Sequence, residues 1–176
     1  MSKAKSIQNL LKINQHKKIL LGLSRINKAL HHIKWQKKTK SKILTCNGTS
    51  GKFSIIFLIK KILIQNNNTF AVTVSPHIKS VSERMEINSK YISILQLKRI
   101  LNRICKIPVR LTEFEMLCAA FAEYIKNKKV QYTLAEFGLL GRKDAVRALF
   151  PAPDIHIISP ILFDHLHWLK NQKRNL

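Results

Sequence analysis

Acidic residues are scarce in this chain of 176: nine Asp and Glu stand against 32 Lys and Arg, a net charge of +23. A field of that sign draws nucleic acid, anionic membrane or polyanionic substrates. The lysines run through the whole chain with isoleucine and asparagine, so a drift in composition accounts for the charge before any binding patch does. Glycine and proline are also few, five of each, while 45% of residues are apolar. That balance favours a folded globular chain over a disordered one. The three cysteines, Cys46, Cys105 and Cys118, have no pairing or metal spacing. Each lies in an apolar pattern, as reduced core thiols of a cytoplasmic protein do. No apolar run approaches the roughly 18 residues that cross a bilayer. Residues 1–18 are basic and polar without an apolar centre, which excludes a secretory signal and leaves an organelle presequence open. Repeats of solenoid length are missing, and so is the aromatic–basic interleaving of single-strand binders.

What is present is enough chain for one domain with a real core. It is organised around Asn47-Gly48-Thr49-Ser50-Gly51-Lys52-Phe53-Ser54. A short apolar run, Lys42-Ile43-Leu44-Thr45-Cys46, precedes this stretch, and an apolar helical run over 55–63 follows it. Strand, small-residue loop with Gly-Lys, then helix is the layout of a phosphate-binding loop. Glycines let backbone N–H groups turn toward an anion, the helix N-terminus adds its positive end, and a lysine reaches the outer phosphates. Phe53 stands where a Ser or Thr usually follows the lysine. The same residues also describe an ordinary strand–turn–helix connection with a solvated lysine.

Residues 1–18 read as frayed or weakly helical. Leu23, Ile26, Leu30 and Ile33 recur at helical spacing, and residues 34–42 form a lysine-dominated solvated connector. Asn66-Asn67-Asn68 ends the loop helix, and residues 69–74 read as a buried strand. Two strands joined by a helix make a βαβ unit, hence a parallel sheet. Residues 75–85 then leave that strand's carboxyl end, the edge where such sheets gather ligands. A helix is predicted from Ser93, with Gln96 three residues on, burying Ile94, Leu97, Leu101 and Ile104. Another starts at Thr112, with Glu115 in capping-box spacing, burying Phe114, Leu117, Phe121 and Ile125. Two further strands, 130–135 and 155–159, bracket Glu136-Phe137-Gly138-Leu139-Leu140-Gly141-Arg142-Lys143-Asp144-Ala145. Glu136 can point into the crevice of the phosphate loop or simply pair with Arg142. Ser75 also suits a turn before Pro76, His77 and His165 a structural role, and Phe114 the core.

Taken in order, these motifs resemble the folylpolyglutamate synthase and dihydrofolate synthase family, relatives of the Mur ligases. The family loop Gly-Thr-Asn-Gly-Lys-Gly-Ser/Thr stands in register with Gly48-Thr49-Ser50-Gly51-Lys52-Phe53-Ser54. Its Ser-Pro-His followed by Glu-Arg matches Ser75-Pro76-His77 with Glu83-Arg84, and Leu-Thr-x-Phe-Glu matches Leu111-Thr112-Glu113-Phe114-Glu115. Its Glu-Val-Gly-Leu-Gly-Gly-Arg-x-Asp-Ala matches residues 136–145, its Asp-His matches Asp164-His165, and its Gly-Leu-x-Arg-Ile matches Gly22-Leu23-Ser24-Arg25-Ile26. Any one motif is weak; the ordered set, over residues 19–169, is specific.

The resemblance implies an α/β fold: a three-layer P-loop-type domain like the Mur ligase central domain, with a mostly parallel sheet flanked by helices. It occupies residues 19–170, between a basic segment (1–18) and a polar tail (171–176). The implied activity uses ATP and magnesium to phosphorylate a folate or pteroate carboxylate, which the L-glutamate amine then attacks. Lys52, Glu136 and His165 are the implied catalytic residues. Gly48, Thr49, Ser50, Gly51, Lys52 and Ser54 are implied to hold ATP, and Ser75, Glu136, His165 and Ser54 the metal. Thr112, Phe114, Asp144, His77 and Arg84 are implied to hold the folate. Departures from the family pattern are Ser50, Phe53, Leu140, Val146, Arg147 and Leu20. The family also continues past Asp-His to a modified lysine and a second domain, so a shortened ligase domain is expected, inactive alone or completed by a separately encoded C-terminal half. A basic nucleic-acid-binding module using residues 34–42, or a non-catalytic remnant, are the competing readings.

Overall fold

The computed structural model describes residues 3–13, 22–35, 40–138 and 142–162. Helices α1 (Lys3–Ile13) and α2 (Ser24–His32) precede strand β1 (Lys42–Asn47), and α3 (Lys52–Gln65) carries the chain to β2 (Phe70–Thr73). A 3-10 turn, Val81–Arg84, leads to a hairpin of β3 (Glu86–Ile87) and β4 (Lys90–Tyr91). Then come α4 (Ile94–Ile104), α5 (Glu113–Ile125), β5 (Tyr132–Glu136), α6 (Ala145–Leu149) and β6 (Ile155–Ile158). One sheet results, in the order β4-β3-β2-β5-β1-β6. Strands β2, β5, β1 and β6 are parallel, Leu44 sitting between Leu134 and Ile155. The hairpin adds to β2 antiparallel. This is the expected α/β architecture with a mostly parallel sheet.

The two faces of the sheet are covered unequally. α1, α2, α4, α5 and α6 enclose the larger core, while α3 alone packs Ile56 and Leu63 over Cys46, Phe70, Val72 and Leu134. α5 lies in the middle of the thick layer, touching α1, α2, α4 and α6, and every residue from Glu115 to Ala122 is buried. From β1 the chain crosses one way to β2, and from β5 it crosses the other way to β6. The order therefore reverses at β1 and β5, which opens a crevice at their carboxyl ends.

Local signals explain the helix starts. The Ser93 hydroxyl accepts the Gln96 N–H at 3.2 Å. At α5 the Thr112 hydroxyl accepts the Glu115 N–H at 3.2 Å while the Glu115 carboxylate accepts the Thr112 N–H at 2.7 Å, a complete capping box. The strands match the sequence reading to within one or two residues at each end. Three features differ. Residues 3–13 form a helix whose Ile7 and Leu11 are buried, because Ile7, Leu10 and Leu11 make an apolar stripe that the surrounding lysines conceal. The β3–β4 hairpin turns on Asn88 and Ser89 at φ 47° and 64°, a tight two-residue turn without the usual glycine. α6 begins where the Asp144 carboxylate accepts the Val146 N–H at 2.8 Å. No helix among the described residues is long and apolar enough to cross a membrane.

Glu115 also meets Arg25 of α2, which donates through Nε at 3.2 Å and lies 3.0 Å away through its second nitrogen. The pair is largely out of water, at 24% and 5% exposure, so removing one partner strands the other. Arg25→Ala is expected to lower stability by about 2–3 kcal/mol in urea unfolding. Arg103→Ala, which breaks the exposed pair with Glu123, is expected to cost less than about 0.5 kcal/mol.

Candidate active site

The loop after β1 is shaped by two glycines. Gly48 sits at φ 133° and Gly51, which caps α3, at φ 82°. A Cβ at Gly48 would collide with the Ser159 hydroxyl and lie 2.7 Å from its carbonyl oxygen. Ser159 follows β6 and donates its N–H and its hydroxyl to the Asn47 carbonyl at 2.7 and 3.1 Å. The Pro160 carbonyl accepts the Thr49 and Ser50 N–H groups at 3.0 and 3.4 Å. Thr49 Oγ1 also donates to the Leu162 carbonyl and accepts the Leu162 N–H. Thr49 and Ser50 amides are thus engaged by the segment after β6. The first intrahelical bond of α3 runs from the Ile55 N–H to the Gly51 carbonyl. The amides of Lys52, Phe53 and Ser54 therefore have no acceptor within the helix and form its positive end.

Lys52 folds over the loop, donating to the Gly48 carbonyl at 2.8 Å and the Thr49 carbonyl at 3.5 Å. Its ammonium stands 4.0 Å from Glu136 Oε1. Glu136, the last residue of β5, is 4% exposed, and its Oε2 accepts the Ser75 N–H at 3.1 Å. Burial raises its pKa above the ordinary carboxylate value, against the opposing pull of the Ser75 amide, Lys52 and Arg84. The Cys46 thiol beneath is pushed up by burial and by the Glu136 charge. Three carboxyl-end segments, after β1, β2 and β5, thus converge on one carboxylate. Arg142 is exposed, and Glu136 turns to Lys52 and Ser75 instead.

The other predicted residues fall around this centre. Arg84 Nε donates to His77 Nδ1 at 2.9 Å, which leaves the proton of a neutral His77 on Nε2. Burial lowers the Arg84 pKa, countered by Glu113, Cys118 and Glu136. Glu83 accepts the N–H groups of Ile78, Lys79 and Ser80 and is held below the ordinary carboxylate range chiefly by the Ile78 bond. Thr112 is committed to capping α5, and buried Asp144 to capping α6. The Phe114 ring lies on Gly138, where a Cβ would come within 2.7 Å of it. Ser54 is exposed on the first turn of α3. His165 lies outside the described residues. Phe53 stacks on Phe57, ring centres 6.5 Å apart. It walls a cavity of about 390 Å³ shared with Ser75 and Tyr91. Sequence reasoning missed Ser159 and Pro160 as the strap on the loop; their role is carried largely by backbone atoms, which leave no residue signature.

A raised carboxylate pKa means the folded chain holds that proton more tightly than the unfolded one. Its stabilising effect is full below the unfolded value of about 4.3 and is lost as pH rises through the folded value. Glu136→Gln is expected to raise the urea midpoint at pH 8 relative to the parent, with the gap closing at pH 4. Gly48→Ala is expected to cost about 3 kcal/mol, measured the same way, and Ser159→Ala should relieve only the hydroxyl part.

No family model matches the chain. It is 31% identical over 159 residues to dihydrofolate synthetase of Saccharomyces cerevisiae, covering 87% of this chain and 37% of the yeast protein. It is 28% identical over 159 residues to dihydrofolate synthase/folylpolyglutamate synthase of Bacillus subtilis, covering 85% and 36%. In fold it is similar to E. coli FolC in complex with DHPP and ADP, at a TM-score of 0.84 with 24% identity over 96% of this chain and 40% of that one. A bifunctional folylpolyglutamate synthase/dihydrofolate synthase with Mn, AMPPNP and L-glutamate bound superposes at 0.80, with 25% identity over 94% and 40%. The chain thus spans 36–37% of the length of these two curated relatives. By sequence and by fold, the chain is similar to the dihydrofolate synthases/folylpolyglutamate synthases over the part of their length that it spans.

Proposed function

We propose that this chain forms the phosphate-binding part of a ligase that uses ATP to join L-glutamate to a dihydropteroate or tetrahydrofolate carboxylate through an acyl phosphate. The observation that carries the reading is the meeting of Lys52, Glu136 and the Ser75 segment at the sheet's reversal point. Amides at the start of α3 face the place where phosphate oxygens would lie, and Lys52, now on two loop carbonyls, needs only to swing outward to reach them. Its charge would then offset what develops on the transferred phosphoryl group.

Magnesium fits the donors present. The Glu136 carboxylate and the Ser75 and Ser54 hydroxyls are hard oxygen ligands, and few protein ligands suffice for an ion that keeps its waters. Among the described residues no three His, Cys, Asp or Glu gather at one point, and the donors proposed here are one carboxylate and two hydroxyls. When bound, magnesium would neutralise phosphate charge and orient it; His165 is the further proposed ligand. Glu136 is suited to that place because burial leaves its charge only partly compensated. Arg84, held by His77, offers a cation for an acid substrate, and Phe114 an aromatic face beside Gly138. Thr112 and Asp144 complete the proposed folate wall through the backbone they fix. Glutamate binding and exclusion of water from the acyl phosphate are assigned to parts of such a ligase outside the described residues.

Titration calorimetry with ATP and magnesium tests the reading. Saturable binding is expected, weakened at least tenfold, roughly 1.4 kcal/mol, by Lys52→Ala. Phe53→Gly should change affinity less than about threefold, since the ring is taken up by its stack on Phe57. A folded chain that takes up no ATP would sink the proposal.

A further inference from the structure

The stretch from Ser75 to Arg84 leaves the candidate site and returns to it. At its head the Ser75 N–H reaches Glu136 at 3.1 Å, and at its end the Arg84 charge acts on the same carboxylate. Packing does not hold what lies between: Pro76, Ile78 and Lys79 are exposed, Ile78 at 85%. The Glu83 side chain does. One of its oxygens accepts the Ile78 N–H at 2.9 Å, and the other accepts those of Lys79 and Ser80 at 3.0 and 2.7 Å. Successive amides turned onto one anion make a nest, and here the anion belongs to the same stretch of chain. A capping box needs only the Ser80 bond. The bonds to Ile78 and Lys79 reach beyond the turn that Ser80 caps.

His77 and Arg84 stand immediately outside the part that Glu83 gathers. Arg84 Nε donates to His77 Nδ1 at 2.9 Å, seven positions earlier in the chain. A guanidinium is planar, and its donors form a rigid fork. Fixing the Nε–H therefore fixes where the two terminal nitrogens face. The bond to His77 is the one hydrogen bond that Arg84 makes among the described residues, so the terminal pair is the part that a bidentate carboxylate would meet.

We infer that Glu83 is a positioning residue for the acid substrate: by gathering the amides of residues 78–80 it sets His77 against Arg84, and His77 aims the Arg84 fork at the substrate carboxylate. The inference rests on the reading that Arg84 meets the acid substrate, and it gives a role to a side chain outside that set.

Calorimetric titration of the full chain with pteroate and, separately, with ATP and magnesium tests it. Glu83→Gln replaces one accepting oxygen with a donating amide group. It is expected to weaken pteroate binding at least about fivefold and ATP binding less than about twofold. Ser80→Ala removes the hydroxyl that accepts the Ser82 N–H and leaves the amides on Glu83, so pteroate affinity should change less than about twofold. On an Arg84→Ala background, Glu83→Gln should add less than about twofold, because its effect passes through Arg84. Nitrogen NMR of the histidine rings gives a readout without ligand. The His77 signal, assigned by its loss in His77→Gln, is expected to report the Nε2–H tautomer in the parent and a tautomer mixture in Glu83→Gln. Unchanged far-UV circular dichroism certifies that each variant is folded. Equal losses in Glu83→Gln and Ser80→Ala, additive losses on the Arg84→Ala background, or an unmoved His77 signal overturns the inference. A chain that takes up ATP but no pteroate also overturns it and leaves the phosphate-site proposal standing. Pteroate binding with the expected coupling but no ATP binding overturns only that proposal.

Discussion

A carboxylate leaves water only where something else takes over its charge, and Glu136 is where this fold meets that demand. Its replacements are one backbone N–H from the segment after β2 and one ammonium from the start of α3. Neither group is near it in sequence. Both are brought there by parallel strands that end at a common level on either side of the reversal in strand order. The compensation is incomplete, as the raised pKa shows, and an undercompensated charge in a crevice is what a catalytic or metal-binding group requires. The rest of the site follows from the same convergence: Lys52 is near the carboxylate because Gly51 starts α3 there, and Arg84 is near because the turn before β3 returns the chain.

A second long-range tie serves the thick face of the sheet. Arg25 and Glu115 belong to two short motifs about ninety residues apart, and their ion pair locks α2 to the beginning of α5. Glu115 therefore has two duties, capping its own helix and anchoring a neighbour. The N-terminal motif and the α5 motif are in this sense one structural device.

Much of the fold was legible from residue patterns. The Gly-Lys loop, the apolar runs of the four parallel strands and the caps at Ser93 and Thr112 are local signals, and each marks an element that exists. What escaped was non-local or unsigned. α1 was hidden because lysines dilute its stripe of Ile7, Leu10 and Leu11, and only docking on α4 shows that the stripe matters. The β3–β4 turn uses Asn and Ser where glycine would have announced it. At the site, Lys52, Ser75 and Glu136 were legible as a set through their place in an ordered series of motifs. Whether Phe53 blocked the loop could not be read from its identity, since the answer depends on a rotamer and on Phe57 as a stacking partner. The contact of Thr49 and Ser50 with Pro160 was invisible because it is made by a carbonyl that every residue type carries.

That carbonyl has a consequence for how the molecule is made. Asn47–Ser54 leaves the ribosome early, but two of its amides gain their acceptor only with Pro160, more than a hundred residues later, and Gly48 gains its neighbour only with Ser159. A nascent chain that has delivered β1, α3, β2 and β5 therefore carries the Asn47–Ser54 loop as sequence without its shape. Because long-range closure is slow, the loop is among the last parts of the domain to be set. The final shape of the loop waits on the arrival of β6.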